Sequence, residues 1–241
     1  MSLPEAGAIT AVWSNIPKES EDDIRKWHNL EHTAERLEGP GYIACRRYNS
    51  EGGGGGGGRH KRLTVFEGID LATFDSPYYL ESRNNPTPWT RKSMGVIRDA
   101  RRGVYELAVS CGERPRAEAP YIYTVRSDPA EGAEEDLIAW YEEEHFPRLC
   151  ALEPVLRARL FRRAEKVSDI KTAETKMQGK QDGQQAFLAF LEMSSPDILG
   201  GDAWKEASAG TERSAEMLGK LEDLLREIWW WDFVRYAPGI I

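Results

Sequence analysis

Apolar and polar residues follow the same succession of patterns twice along the chain. In each half a strand-like run, residues 8–13 or 121–126, precedes a helical pattern and two further strand-like runs. A second helical pattern follows, and an aromatic run of strand-forming residues closes each half, at residues 103–110 and 229–236. Both halves therefore read β-α-β-β-α-β, which is the ferredoxin-like pattern.

The helical patterns predict where the helices lie. In the first helix, five apolar residues recur at helical spacing and are predicted to face the sheet: Ile24, Trp27, Leu30, Ala34 and Leu37. Its counterpart spans roughly residues 133–150 and contains Pro147, which we expect to bend or end the helix early. The last helix of the first half begins at Pro88, and its counterpart is expected at roughly residues 210–227.

The segment WHNLEH at residues 27–32 reappears as WYEEEH at residues 140–145, an offset of 113. Three residues are kept: Trp27 and Trp140, Glu31 and Glu144, and His32 and His145. Self-similarity over this length predicts a tandem duplication. The charged, Pro-containing stretch at residues 111–120 marks the boundary, so the predicted units are residues 1–113 and 114–241.

A β-α-β-β-α-β sheet carries its helices on one face and leaves the other face uncovered. Two such sheets can pair their uncovered faces and close into a barrel, and a duplicated chain supplies both sheets itself. We therefore predict an α+β fold in which two tandem ferredoxin-like units form a pseudo-dimeric α/β barrel. The chain is expected to be a monomer that mimics a dimer, or to associate further into a homo-oligomer.

The charge balance bears on the expected partners. The chain of 241 residues has a formal net charge of −8 and a pI near 5.2. An acidic surface repels phosphate backbones, so nucleic acid is not an expected partner. The arginine-rich stretches at residues 46–47, 98–102 and 157–163 are predicted to be solvated faces.

Cysteine usage and hydropathy predict a cytoplasmic protein. Cys45, Cys111 and Cys150 are too few and too far apart for a disulfide framework and are expected to be reduced thiols. The N-terminal segment lacks the basic region and apolar run of a signal peptide. No stretch approaches 18 apolar residues, so no membrane span is predicted.

Two polar stretches, each between the second and third strands of its half, are predicted to be mobile. One is the run of seven glycines at residues 52–58, which we interpret as a flexible hairpin linker. No Lys-Ser or Lys-Thr follows it at the spacing of a phosphate-binding loop. The other is residues 166–185. His60, just after the glycine run, is predicted to face solvent.

The residues from His28 to His32 match H-x-x-E-H, the signature of the inverted zinc metallopeptidases. Such a site needs both histidines and a third protein ligand from a later helix. The second half keeps the glutamate and the second histidine but has Tyr141 in place of His28, so the ligand pair is not repeated. We therefore predict no metal and no other cofactor, while a metal site at His28 and His32 stays open as an alternative.

The segments WHNLEHTAERL and WYEEEHFPRL, with EH late in the first helix, resemble the dimeric α/β-barrel superfamily near its EthD-like branch. The stretch NNPTPWTRKSMGVIRDARRGVYEL, residues 84–107, is similar to bacterial and fungal members of that group. The resemblance covers nearly the whole chain in two copies. It implies the fold predicted above, on which cofactor-free monooxygenases, polyketide cyclases, lactone isomerases, lyases and haem enzymes are built.

The first functional hypothesis is a cofactor-free lyase, isomerase or cyclase that acts on a small apolar or aromatic, polyketide-like metabolite. His32 is the expected general acid and base, Glu31 its orienting carboxylate, and His28 a second proton carrier or a hydrogen-bond partner of the substrate. The alternatives are a cofactor-independent or haem-dependent monooxygenase, and a non-catalytic protein that binds a hydrophobic ligand or a partner. Under a purely structural alternative, the Glu-His pairs tie each first helix to its surroundings.

Further residues are predicted to bind the small-molecule substrate: Trp13, Arg47, Tyr79, Asn85, Trp89, Arg91 and Tyr105. Arg47 or Arg91 can hold a carboxylate or an enolate, whereas the aromatic residues can line a pocket between sheet and helices. The equivalents of the catalytic group in the second half are Tyr141, Glu144 and His145.

Overall fold

Eight antiparallel strands close into a barrel in the computed structural model, which describes residues 3–50, 60–178 and 184–240. The strands are β1 (Ala8–Asn15), β2 (Tyr42–Ser50), β3 (Arg62–Gly68), β4 (Arg98–Cys111), β5 (Tyr121–Pro129), β6 (Val155–Arg163), β7 (Phe187–Met193) and β8 (Leu221–Tyr236). Their order around the barrel is β1-β3-β2-β8-β5-β7-β6-β4. The glycine run predicted to be a flexible linker lies outside the described residues.

Each half of the chain contributes one four-stranded sheet to this barrel. The first half, residues 3–113, supplies β4-β1-β3-β2, and the second half, residues 114–240, supplies β8-β5-β7-β6. The sheets join where β2 pairs with β8 and where β4 pairs with β6. The predicted pseudo-dimeric α/β barrel is confirmed, and closure leaves neither sheet with an unpaired edge.

The helices lie outside the barrel, so each strand has one face toward them and one toward the barrel interior. In the first half they are α1 (Glu21–Trp27), α2 (Thr33–Leu37), α3 (Pro77–Asn84) and α4 (Pro88–Met94). In the second half they are α5 (Glu134–Trp140), α6 (Phe146–Cys150), α7 (Glu165–Ser168), α8 (Ala173–Gln178), α9 (Asp202–Ala209) and α10 (Glu212–Gly219). Because side chains alternate along a strand, Ile9, Ala11 and Trp13 pack inside while Thr10 and Val12 face the helices.

A π-helical turn interrupts the first helix of each half. It spans His28–His32 between α1 and α2, and Tyr141–His145 between α5 and α6. Such a turn holds more residues than an α-helical turn, so the side chains within it point in other directions around the helix axis than a regular α-helix would give. Leu30 was predicted to face the sheet, but it is 69% exposed. That prediction was wrong because a constant 3.6-residue period takes no account of the wider turn.

Two predicted helix ends in the second half were also wrong. Pro147 does not end its helix, because it stands in the first turn of α6, where a missing N–H is tolerated. The last helix, α10, ends at Gly219 instead of continuing to about residue 227. Residues 221–227 belong to β8, whose pairing with β5 overrides their helical propensity.

The barrel interior combines aromatic packing with buried ion pairs. Trp13, Tyr105 and Trp229 belong to its apolar cluster. Glu67 on β3 pairs with Arg46 of the first half and, at 3.0 Å, with Arg159 of the second half. This carboxylate therefore joins the two sheets inside the barrel.

Several arginines predicted to be solvated are buried instead. Arg46, Arg47, Arg102, Arg157 and Arg159 are each no more than 7% exposed. That prediction was wrong because these side chains lie inside the barrel or in the pocket described below, where polar partners offset the cost of burial.

His60, also predicted to face solvent, is buried as well. Its Nε2 lies 2.9 Å from the backbone oxygen of Asp99, at the start of β4. This hydrogen bond to a residue distant in the sequence holds the imidazole against the barrel. The residues next to His60 in the sequence do not indicate this burial.

The polar stretch after β6, predicted to be mobile, forms helices α7 and α8, which lie over the first half. The Ser168 hydroxyl donates to the Val104 carbonyl at 3.0 Å and accepts from the Val104 N–H at 2.8 Å. Helix α8 packs beside α3 and α4. The second half thus adds a segment to the surroundings of the first; residues 179–183 of the stretch lie outside the described residues.

The three cysteines carry free thiols. Within the described ranges, none of the helices combines the length and the apolar character that crossing a bilayer requires.

Candidate active site

A pocket opens between the helices of the first half and the outer face of its sheet, and it encloses about 890 Å³, its open mouth included. One row across its floor runs from Arg102 through Val12 and Thr64 to Arg47, on four neighbouring strands. Three strand spacings separate the ends of this row, so the two arginines flank the floor about 14 Å apart. The other apolar and aromatic wall residues are Ile16, Ile24, Trp27, Tyr42, Phe66, Met94 and Ile97.

His28 and His32 lie in the wall, in the π-helical turn. Arg47 Nη1 lies 3.0 Å from His28 Nδ1; because a guanidinium only donates, Nδ1 accepts and the imidazole hydrogen sits on Nε2. Burial lowers the pKa of His28 to about 3, and the charges of Arg47 and Arg62 add to this effect. Burial also lowers the pKa of His32, with Arg36 contributing. Both imidazoles are therefore neutral near pH 7.

Glu31 is directed toward α4. Its carboxylate accepts hydrogen bonds from the hydroxyls of Thr87 at 2.6 Å and Thr90 at 3.2 Å. The Trp27 indole donates to the Thr90 hydroxyl at 3.1 Å, and the Thr87 hydroxyl caps α4 by accepting from the Thr90 N–H. These four side chains form a joint between the first helix and α4, and the His32 ring stacks on Trp27 at a centroid distance of 4.5 Å.

The second half contains the same joint. Glu144 accepts from the hydroxyls of Thr211 and Ser214, and the Trp140 indole donates to Ser214 at 3.2 Å. The Thr211 hydroxyl caps α10 by accepting from the Ser214 N–H, and His145 stacks on Trp140 at 4.1 Å. The repeated W-x-x-x-E-H segment therefore ties two helices together in each half, which agrees with the structural alternative for the glutamates.

Three buried arginines, which we call the guanidinium cluster, surround Tyr79 at one end of the pocket. The central carbons of Arg36, Arg83 and Arg102 lie 5.8, 5.4 and 6.0 Å from the centre of the Tyr79 ring. Arg102 donates a hydrogen bond of 2.9 Å to the Tyr79 hydroxyl. Glu174, contributed by α8 of the second half, accepts from Arg36 and, at 3.1 Å, from Arg83.

The cluster determines the ionisation of the tyrosine. Burial by itself raises the pKa of Tyr79, but Arg102, Arg83 and Arg36 together outweigh it and bring the pKa down to about 8. Tyr79 is only 5% exposed. A buried hydroxyl that ionises this close to neutral pH can take a proton from a ligand in the pocket.

The corresponding space in the second half is filled by side chains. At the offset of 113, Tyr123 stands in place of Thr10, and Tyr141 in place of His28. Tyr123 packs edge-on against Trp204 at a centroid distance of 5.6 Å, and Tyr141 belongs to the same apolar cluster. The first half therefore offers the more open site.

The structure brings together four of the residues predicted to form the site, namely His28, His32, Arg47 and Tyr79. Trp13 and Tyr105 lie inside the barrel, on the face of the sheet away from the pocket. Asn85, Trp89 and Arg91 lie in or next to the start of α4, and none of them lines the pocket wall. Asn85 and Arg91 are exposed.

The guanidinium cluster and Glu174 were not predicted from the sequence. Arg36 follows His32 by four residues and Arg83 follows Tyr79 by four, so each shares a helix face with a predicted site residue. That spacing is a usable signal. No such spacing marks Glu174, because this residue reaches the pocket from the other half of the chain.

Metal binding gains no support from the geometry. Among the residues that the structure describes, no three His, Cys, Asp or Glu side chains come together as a possible metal site. Within those described ranges, the match to H-x-x-E-H thus lacks the third ligand that a zinc peptidase requires.

Comparisons with known proteins show the fold. No protein-family model matches the sequence, and no curated protein matches it. An anthrone oxidase-like protein matches the structure over 97% of this chain and 94% of its own, with 10% identity and a TM-score of 0.60. A monooxygenase candidate from Lactobacillus acidophilus NCFM matches over 97% of both chains at 9% identity and a TM-score of 0.56. A chlorite dismutase from Candidatus Nitrospira defluvii matches over 93% of this chain and 92% of its own, with 11% identity and a TM-score of 0.51.

These similarities and the topology define a class of protein. The chain has the fold of a pseudo-dimeric α/β barrel, with a pocket between sheet and helices in its first half. Sequence identities of 9–11% carry the likeness no further than the fold. Placement in the EthD-like branch and an origin by duplication stay predictions.

Proposed function

We propose that the chain is a cofactor-independent monooxygenase that oxidises a phenol or enol of an aromatic ring system in the pocket of the first half. One observation carries this proposal: the Tyr79 hydroxyl is buried at one end of a pocket with apolar and cationic walls, and it is hydrogen-bonded to Arg102. Around it, guanidinium groups outnumber carboxylates. Such a site accepts a flat, apolar ligand and stabilises the anion that forms when the ligand loses a proton.

The residues of the pocket have distinct tasks in this proposal. The Tyr79 phenolate removes a proton from the ligand, and the guanidinium cluster stabilises the resulting carbanion or enolate. His28 donates a hydrogen bond through Nε2, because Arg47 keeps its Nδ1 as an acceptor. Neutral imidazoles suit this task, since they add no charge and give up no proton at neutral pH.

The oxidation itself needs only O₂ as a second substrate. For a ring methylene flanked by aromatic rings, loss of a proton leaves a carbanion, which transfers one electron to O₂. The radical pair combines into a C–O bond, and protonation gives a hydroperoxide. Elimination of water then leaves a ring carbonyl, so one CH₂ group and one O₂ become one C=O and one H₂O. Anthrone contains such a methylene group, and an anthrone oxidase-like protein shares this fold.

The test is oxygen uptake with anthrone as the substrate, for the wild type and for Tyr79→Phe. We expect one O₂ consumed per anthrone, and a turnover lowered at least 100-fold by the substitution, as for the loss of a general base. The matched control is Tyr105→Phe, which removes a buried hydroxyl inside the barrel that has no hydrogen-bond partner among the described residues. Equal turnover in Tyr79→Phe and Tyr105→Phe would overturn the role of Tyr79.

A lyase, isomerase or cyclase is the second candidate, because the same proton transfer from ligand to Tyr79 is the first step of those reactions. The two candidates differ in their need for oxygen. Product formation at an unchanged rate under anaerobic conditions would favour the second candidate and exclude the oxygenase.

A haem-dependent oxygenase fits the residues less well. A histidine that binds a metal through one ring nitrogen normally donates the hydrogen of the other to an acceptor. His28 Nδ1 instead accepts from Arg47, and His32 Nδ1 is buried without a hydrogen-bond partner among the described residues. The proposal therefore includes no haem; an absorption spectrum with a haem band on the purified protein would contradict it.

A further inference from the structure

We propose that the guanidinium cluster binds a carboxylate group of the ligand, so that the pocket prefers aromatic ligands that carry a carboxylate. The inference names the substrate class of the proposed function and to that extent rests on it. The balance of charge, an unpartnered donor and the difference between the two halves support the subsite.

The buried side chains at this end of the pocket carry more positive than negative charge. Arg36, Arg83 and Arg102 are 3%, 2% and 7% exposed, and the buried carboxylate among them is Glu174, 4% exposed. Glu35 lies 3.7 Å from Arg36 but is only half-buried. Within the part of the chain that the structure describes, positive charge therefore exceeds negative charge at this buried end of the pocket, which favours the binding of a further anion.

One arginine of the guanidinium cluster has an unpartnered hydrogen-bond donor among the described residues. Arg83 donates through Nε to Glu174 at 3.1 Å, whereas its Nη1 is buried and has no acceptor among the residues that the structure describes. Arg83 also lines the pocket. A guanidinium binds a carboxylate through parallel N–H groups, which gives this interaction its strength and its geometry. A ligand carboxylate in the pocket supplies the acceptor that Arg83 Nη1 lacks.

The fold does not require the guanidinium cluster. At the offset of 113, Leu149 takes the place of Arg36 and is part of the apolar cluster of the second half. Arg226 faces Val125 across the β5–β8 pair as Arg102 faces Val12 across the β1–β4 pair, yet Arg226 is exposed. The second half thus forms the same elements without burying three arginines, which points to ligand binding as the use of the cluster in the first half.

The experiment compares two probes of almost identical shape, 2-naphthoate and 2-naphthamide, by isothermal titration calorimetry on the full-length protein at pH 7. Only the naphthoate carries a negative charge. We expect it to bind at least tenfold more tightly than the amide, in keeping with the strength of charge-assisted hydrogen bonds. Equal affinities, or no binding of the naphthoate, would overturn the proposal.

Variants locate the binding. Arg83→Gln is expected to abolish the preference for naphthoate, whereas Arg226→Gln, which removes an exposed arginine from the second half, should leave it unchanged. Glu174→Gln removes the carboxylate that competes for Arg36 and Arg83, so naphthoate should bind more tightly. A preference that survives in Arg83→Gln with its full tenfold ratio would overturn the proposal. If Arg83→Gln does not fold, Glu174→Gln decides, because weaker naphthoate binding in that variant contradicts the subsite.

The outcome is separable from that of the proposed function. Calorimetry measures binding without turnover, so a preference for naphthoate supports the subsite even if the protein consumes no oxygen. Conversely, oxygen consumption with uncharged anthrone but equal affinity for the two probes would leave the oxygenase in place and remove the carboxylate subsite.

Discussion

At the scale of single residues, the pocket is distinguished by groups whose ionisation departs from its usual range. Tyr79 has its pKa lowered to about 8, because three guanidinium groups outweigh the effect of burial. If its phenolate is the base, turnover rises with pH through about 8 and reaches a plateau above it, since the phenolate exists only above the pKa. Oxygen uptake between pH 6 and 10 measures this profile. A wild-type rate that does not change with pH would count against Tyr79 as the base.

Buried histidines predict a loss of stability in acid. Burial lowers the pKa of both His28 and His145 to about 3, whereas an unfolded histidine titrates near 6.5. Below pH 6.5 the unfolded chain therefore binds protons that the folded chain does not, so stability falls as the pH drops toward 3. At pH 5 each of these histidines lowers the free energy of unfolding by about 2 kcal/mol.

Urea unfolding at pH 7 and pH 5 measures this loss as the difference between the two free energies of unfolding. His145→Gln should reduce that difference by the contribution of one histidine. A free energy of unfolding that is the same at both pH values would show that these imidazoles are not buried in neutral form.

At the scale of elements, the repeated W-x-x-x-E-H segment acts as a joint between helices. Removing Glu31 or Glu144 leaves two hydroxyls without their shared acceptor, in the first and second half respectively. We expect Glu31→Ala and Glu144→Ala each to lower the free energy of unfolding by about 1–2 kcal/mol. The exposed Glu142 supplies a control in Glu142→Ala, and chemical denaturation gives all three values. A loss confined to one half would contradict a shared structural role.

The succession of elements could be predicted from the sequence, whereas several details within the elements could not. Alternating apolar residues gave the strands, and the repeated pattern gave the pairing of two sheets. The outward position of Leu30 could not be read, because a π-helical turn depends on backbone hydrogen bonds rather than on apolar spacing. Residues 221–227 carry helix-forming side chains, and only the pairing with β5 makes them a strand.

At the scale of the whole molecule, the two halves depend on each other. They share a closed barrel, and Glu67 contacts arginines of both sheets, which hold the pKa of its carboxyl below the usual range despite burial. Glu67→Gln is expected to lower the free energy of unfolding by about 3–5 kcal/mol, because it leaves buried guanidiniums without their carboxylate.

Denaturation followed by fluorescence should show one cooperative transition for the full chain. Two separate transitions would mean that the halves fold independently.

The dependence of the two halves on each other explains why only part of the site could be predicted from the sequence. His28, His32, Arg47 and Tyr79 belong to elements of the first half and were found from their local patterns. Glu174 enters the pocket on α8, which follows β6 of the second half, so its role depends on the packing of one half against the other. Arg102 lies in a stretch that was predicted to be a solvated face, because its sequence does not show that strand faces and helices enclose it. No role was predicted for Arg36 or Arg83.

The central claim is that the working site is the pocket of the first half and not its filled counterpart in the second. The double substitution Thr10→Tyr and His28→Tyr introduces into the first half the tyrosines found at the equivalent positions 123 and 141. The measurement is oxygen uptake with anthrone by this variant, with its thermal unfolding recorded alongside. We expect turnover to be lost while the melting temperature stays equal to or above that of the wild type, because added aromatic side chains fill an existing cavity. Turnover at the wild-type rate in a folded variant would contradict the claim and place the site elsewhere.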